Sequence, residues 1–149
     1  TLPTRFQNTG TGGETRGDMV LGGGGKSTGA FNPGIGAIIR VSGGTQQLNN
    51  GASFGGQGVT ELSGGQLIAA GTTSGSGNFT ESGGTLAGAG TLQVGGLFSW
   101  TGGTITDFGV TQANGGMSFS GTPNTLSHRA VTHAVASSWT AVGFNTEGC

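Results

Sequence analysis

Apolar residues in this chain recur two positions apart, in short runs that glycine pairs interrupt. The runs Ile39-Arg40-Val41, Phe79-Thr80-Glu81 and Phe98-Ser99-Trp100 put alternate side chains on one face of an extended strand. The interruptions are themselves periodic. A serine or threonine followed by two glycines stands at Ser42-Gly43-Gly44, Ser63-Gly64-Gly65, Ser82-Gly83-Gly84 and Thr101-Gly102-Gly103, at intervals of 21, 19 and 19 residues. Aligned on that triplet, Val41, Leu62, Glu81 and Trp100 fall one residue before it. Ile39, Thr60, Phe79 and Phe98 fall three before, and Gln46, Leu67, Leu86 and Ile105 four after its first residue. Each repeat therefore reads as strand, Gly-Gly turn, strand. Glycine at a turn supplies positive φ freely, whereas inside a strand it costs about 0.5–1 kcal/mol against alanine. Glycine interrupts the repeats too often for apolar residues at helical spacing to run through them, so helix is not expected.

A twenty-residue unit of this kind cannot bury its own apolar face. Consecutive units must stack, with each strand pairing to its equivalent one coil away at about 4.8 Å. The spacing predicts Phe79 above Phe98, a second ladder of Leu67, Leu86 and Ile105, and an exposed contact of Arg40 with Glu61. Glu81 breaks the apolar line of Val41, Leu62 and Trp100, which predicts an outward side chain at a bulge or an irregular coil. Gly29 to Gly58 contains a coil upstream, Val110 to Arg129 reads as a further coil, and Ala130 to Glu147 as the last. The stretch 127–136 lacks glycine, so the last coils are expected to pack differently. The fold expected is all-β, a right-handed parallel β-helix of about six coils. Residues 1–18 form an irregular N-terminal segment, and residues 19–149 a β-solenoid domain cut from a longer protein.

Composition narrows the partners. Glycine contributes 36 of 149 residues, without the every-third-residue rhythm or the proline of collagen. Charged residues make up 7% and the formal net charge is −1, which is unlike the highly charged chains that stay disordered. Arg5, Arg16, Lys26, Arg40 and Arg129 are scattered, so no basic stripe exists for nucleic acid. No apolar run approaches the roughly 18–20 residues of a membrane-spanning helix. Cys149, the last residue and the sole cysteine, has no partner for a disulfide and reads as a fragment boundary, as does the initial threonine without a signal pattern.

With the repeats in view, the stretch from Phe79 to Gly116, with Ser-Gly-Gly-Thr-Leu-Ala-Gly-Ala-Gly-Thr-Leu at 82–92 and Phe-Ser-Trp-Thr-Gly-Gly-Thr-Ile at 98–105, resembles the glycine- and threonine-rich repeats of bacterial autotransporter and haemagglutinin-like exoproteins. At the level of repeat style the similarity covers roughly residues 20 to 145. The resemblance implies a passenger-like β-helix, exported and displayed at the cell surface, often adhesive, with no catalytic residues to transfer. Such motifs specify architecture better than function.

Candidate chemistry is sparse. Gly22-Gly23-Gly24-Gly25-Lys26-Ser27-Thr28 suggests a phosphate loop, but Val20 stands where its first glycine belongs and no helix can follow through Gly29-Ala30-Phe31-Asn32-Pro33-Gly34. Gly25-Lys26-Ser27-Thr28-Gly29 matches the G-x-S-x-G pattern of a nucleophile elbow. The order Ser27, Asp107, then His128 or His133 is that of a serine hydrolase, although the strand-to-helix turn that exposes such a serine is not expected here. His128 and His133 lie five apart and would face opposite sides of a strand, so no metal site is expected. Glu61, Glu81 and Asp107 could line a glycan groove, and Trp100 and Trp139 could stack on sugar rings, with Trp100 at a core position. No cofactor is implied. The expected role is a structural or adhesive segment, extracellular or on the bacterial surface, that associates with itself through solenoid ends and edges or with surface glycans and proteins. The alternatives are a serine-esterase-type hydrolase and a glycan-binding β-helix.

Overall fold

The computed structural model of the chain describes residues 11–14, 18–121, 124–133, 138–139 and 144–147, and among them there is no helix. Strands of two to four residues build three parallel sheets of seven strands each. The first sheet stacks Thr11–Glu14, Ala30–Pro33, Ser53–Phe54, Thr72–Gly75, Thr91–Val94, Val110–Ala113 and Ala130–His133. In the second are Asp18–Leu21, Ile38–Val41, Val59–Leu62, Asn78–Glu81, Phe98–Trp100, Met117–Phe119 and Ser138–Trp139. The third holds Gly25–Ser27, Thr45–Leu48, Gln66–Ala69, Thr85–Ala87, Gly103–Ile105, Asn124–Ser127 and Phe144–Glu147. The chain visits the sheets in rotation, so it is a parallel β-solenoid in which six turns separate the first strand of each sheet from the seventh.

The predicted ladders are present. Phe79 pairs with Phe98 in register, their rings stacked at 5.6 Å between centroids, and Leu86 lies between Leu67 and Ile105. Arg40 Nε donates to Glu61 Oε2 at 2.9 Å across one coil. That pair is half-buried rather than exposed, and Glu61 Oε1 also accepts from Ser82 Oγ. Ala130–His133, Ser138–Trp139 and Phe144–Glu147 continue the three sheets, so the last coil follows its predecessors. Parallel pairing already begins with Thr11–Glu14, inside the stretch 1–18 expected to be irregular.

Two expectations need correction. Glycine spacing predicts two strands per repeat, and the coil has three. The third escaped the pattern because its inward positions include Thr73, Thr111 and Ala113, which alternate too weakly in hydropathy to mark a strand. Glu81 does not turn outward: its strand pairs regularly on both sides, and the side chain points into the core at 0% exposure.

The core is packed by size complementarity between facing sheets. Where the second sheet contributes Met117 and Phe119, the first contributes Thr111 and Ala113 in the same coil; where the first contributes Phe31 and Phe54, the second offers Ile39 and Thr60. A Cβ on Gly75 would run into the Phe54 ring, which lies 5.4 Å from that of Phe79. The absent side chain is therefore what admits the aromatic. One interior cavity of about 20 Å³ remains between Phe31, Ile39, Gln46, Thr60 and Phe79, enough for a water molecule and not for a ligand.

The corner between the second and third sheets explains the glycine pairs, since the two glycines have separate reasons to lack a side chain. A Cβ on Gly83 would lie 2.6 Å from the Ser63 carbonyl oxygen of the preceding coil. Gly84 has φ +74, and its equivalents Gly44, Gly65 and Gly103 are likewise positive. Gly84→Ala is expected to lower stability by about 1–2 kcal/mol from the left-handed backbone alone, with more from the approach of a Cβ to Gly65 O at 2.8 Å. The midpoint of urea denaturation measures it, and an unchanged midpoint would contradict this account of the corner.

Candidate functional site

The structure does not bring the hydrolase residues together. Ser27 lies on the inner side of the third sheet at 1% exposure, where its Oγ accepts from Gln46 Nε2 at 2.8 Å. Asp107 follows the strand Gly103–Ile105, four strands away in that sheet, which is about 19 Å along the axis. His128 is one coil farther. A buried serine at that distance has no base within reach. His133 ends a strand of the first sheet, and its side chain and that of Trp139 lie outside the described residues.

The remaining candidates are also dispersed. Lys26 is exposed and outward-facing, at the start of a row continued by Gln47 and Ile68 rather than at the mouth of a helix. Glu61 lies on the outer side of the second sheet, Glu81 inside it and Asp107 at a corner, so these carboxylates share no groove. Trp100 is fully buried beside Phe119, with ring centroids 4.7 Å apart. Among the described residues no three His, Cys, Asp or Glu side chains cluster as metal ligands.

What the fold does bring together is a corner between the third and first sheets. Successive coils place Gly88, Asp107 and His128 at equivalent positions, all with positive φ: 104°, 68° and 61°. Asp107 and His128 are the non-glycine residues with this backbone among those described. Asp107 Oδ2 accepts from the Gly88 N–H at 2.9 Å, and His128 Nδ1 hydrogen-bonds Ser127 Oγ at 2.8 Å. Between them stands Phe108, 81% exposed, with its ring 5.3 Å from that of His128 and tilted by 57°.

The next residue turns the other way. Four residues separate Ile105 from Val110, but only three separate their partners Leu126 and Ala130, and the shortened corner sends Arg129 into the interior at 1% exposure. Its guanidinium staples three coils: Nη1 donates to Gly88 O at 2.6 Å, Nη2 to Gly90 O at 3.3 Å and Val110 O at 3.1 Å, and Nε to Thr111 Oγ1 at 2.8 Å. Gly109 is part of this arrangement, because a Cβ there would meet Arg129 Nη1. Burial lowers the Arg129 pKa, opposed by attraction from Asp107 and then Glu81. Burial also pushes the Glu81 carboxyl well above the usual carboxylate range, with Arg129 pulling it back. Both Glu81 oxygens are buried and make no hydrogen bond among the described residues, which is why desolvation prevails.

A second surface feature lies on the first sheet, where Gly55 and Gly75 leave a shallow groove of about 280 Å³ bordered by Asn32, Ser53, Ser74 and Ser76. Its polar groups are neutral hydroxyls and an amide.

Two predictions follow from the charges. Glu81 is protonated in the folded state at pH values where the unfolded chain has ionised it, so its contribution favours folding at low pH. That contribution is lost as pH rises from the unfolded value near 4.5 through the raised folded value. Thermal melting from pH 4 upward should therefore show a downward slope that Glu81→Gln removes; identical slopes would contradict the burial of this carboxyl. Arg129→Met strips donors from three backbone carbonyls and Thr111, and should cost roughly 3 kcal/mol in urea denaturation. Arg129→Lys should restore little of it, since an ammonium cannot reach four acceptors at once.

No family model matches the chain, and no curated protein and no solved structure matches it, so any reading of its role rests on the geometry of the solenoid.

Proposed function

We propose that the chain is a structural, adhesive β-solenoid segment of an exported bacterial surface protein, which associates with itself or with surface glycans and proteins. The observation that carries this reading is the continuity of small polar rows on the outer faces. Thr85, Thr104 and Thr125 form one row on the third sheet, Thr80, Ser99 and Ser118 another on the second, and Ser53, Ser74, Gln93 and Gln112 a third on the first. Such rows repeat one kind of hydrogen-bonding group at strand spacing along a stiff body. Extended polar molecules that themselves repeat are the partners such a surface fits.

The charges support the same reading. Arg129 and Glu81 are buried, and Arg40 and Glu61 are paired with each other, so these four serve the fold rather than reaction chemistry. With Ser27 also inside the core, a nucleophile, its base and an oxyanion site do not meet. The resemblance of the 82–105 stretch to autotransporter-like repeats favours surface display.

The test pairs a binding assay with a turnover assay. The purified chain is expected to be retained saturably on immobilised mucin or cell-wall polysaccharide, or to sediment as dimers and larger species. It should hydrolyse p-nitrophenyl acetate no faster than buffer, with Ser27→Ala indistinguishable. Turnover abolished by Ser27→Ala would replace this reading with the esterase, and absence of both retention and self-association would remove the adhesive role.

A further inference from the structure

The corner that carries Phe108 is stapled from inside by Arg129 and tied to the preceding coil by Asp107, and it holds the two non-glycine residues with left-handed backbone among those described. Glycine occupies the equivalent position in the preceding coil, at Gly88, whereas Asp107 and His128, of residue types that enter the left-handed region more readily than most, adopt the same conformation at some cost. Strain of this kind persists where the surrounding structure enforces it, and it is concentrated at ligand-binding positions. Asp107, Phe108 and His128 are all exposed at this corner, and the rings of Phe108 and His128 lie 5.3 Å apart. Phe108 follows Asp107 and projects into solvent at 81% exposure, above Ala89 on the coil before, a small residue that leaves the ring uncovered. On the other side, the shortened corner draws Arg129 inward, and the exposed His128 lies beside the ring.

We propose that Phe108, His128 and Asp107 form a saccharide-binding platform in which the aromatic ring stacks on the C–H face of a pyranose and the carboxylate and imidazole meet its hydroxyls. An uncovered aromatic face suits the apolar face of a sugar ring, and its polar neighbours suit the hydroxyl rim. The polar groups are held in advance: the Gly88 N–H holds Asp107 Oδ2, and Ser127 Oγ holds His128 Nδ1. Binding then orders little that is not already ordered. A ring 81% exposed at a corner is open to one ring of a chain, which fits an extended glycan passing along the solenoid. The proposal rests on the adhesive reading above and gives it a location.

The experiment is a ¹H–¹⁵N titration of the whole chain with three soluble probes: hexamers of β-1,4-linked glucose, β-1,3-linked glucose and β-1,4-linked N-acetylglucosamine. At least one is expected to shift the amides of Gly88, Phe108, Gly109 and His128 saturably. Phe108→Ala should weaken that binding about tenfold or more without changing the melting temperature, and Phe108→Trp should restore it. Shifts centred instead on Ser53, Ser74 and Ser76 and untouched by Phe108→Ala would overturn the platform while leaving adhesion in place. No shift with any probe would overturn the platform too, with surface retention then deciding the adhesive reading separately.

Discussion

Each coil is joined to the next by backbone hydrogen bonds between equivalent residues, and the corners must let those backbones approach without a side chain between them. At the corner between the second and third sheets, the carbonyl before the triplet accepts from two successive amides of the next coil: Val41 O from Ser63 and Gly64, Leu62 O from Ser82 and Gly83. That double acceptance brings the first glycine to within a side chain's breadth of the serine carbonyl below, as the 2.6 Å approach at both Gly64 and Gly83 shows. Alanine there would have to push two coils apart. A chain so poor in large apolar residues gains its cohesion from repeating this pairing many times, with the apolar ladders filling the space enclosed.

Where the glycine pair is missing, the corner is rebuilt rather than abandoned. Ser120-Gly121-Thr122-Pro123-Asn124 stands in place of the triplet, and the buried Asn124 amide donates to Trp100 O at 3.3 Å and Ser120 O at 3.2 Å. The first of these is the carbonyl that the triplet glycine's N–H would serve in an earlier coil. Arg129 does similar work at the corner between the third and first sheets, gathering carbonyls from two preceding coils with one planar group. Coils that depart from the consensus are thus held by buried polar side chains, so a single substitution at the far end removes hydrogen bonds, whereas at the glycine corners it introduces a clash. Glu81, like Thr60 and Thr73, is a polar side chain in the core without such bonds among the described residues, and it accounts for an expected acid-side gain in stability.

Much of the architecture could be read from the repeat. Phe79 over Phe98, Leu67 through Ile105, and Arg40 beside Glu61 all follow from one periodic alignment, because in a solenoid the period converts directly into spatial neighbourhood. The third strand of each coil could not be read so easily, since Thr73, Thr111 and Gly75 carry no hydrophobic alternation; their inward placement follows from ladder register, Thr73 and Thr111 flanking Leu92 and Gly75 lying between Phe54 and Val94. Glu81 was misread for the converse reason. Alternation puts Glu81 in the inward line and solvation of a carboxylate argues for an outward bulge, but ladder register, fixed by Leu62 and Trp100 on either side, overrides the preference of one residue.

The same conversion of period into neighbourhood governs where chemistry can assemble. Residues close in sequence occupy different sheets of one coil, while residues about twenty apart are stacked; a constellation of functional groups must therefore be sought at the repeat interval. Ser27 and Asp107, separated by four coils, fail that criterion, and His128 and Asp107, 21 apart, meet it. Searching by motif order singled out Asp107 and His128 for a reaction they cannot perform with Ser27, and it passed over Phe108, whose meaning depends on the inward turn of Arg129 one coil later. A search for exposed aromatics flanked by polar residues at the repeat interval would have found all three. On a scaffold whose interior is filled by stacked side chains, such corners are where recognition can evolve without disturbing the ladders that hold the coils together.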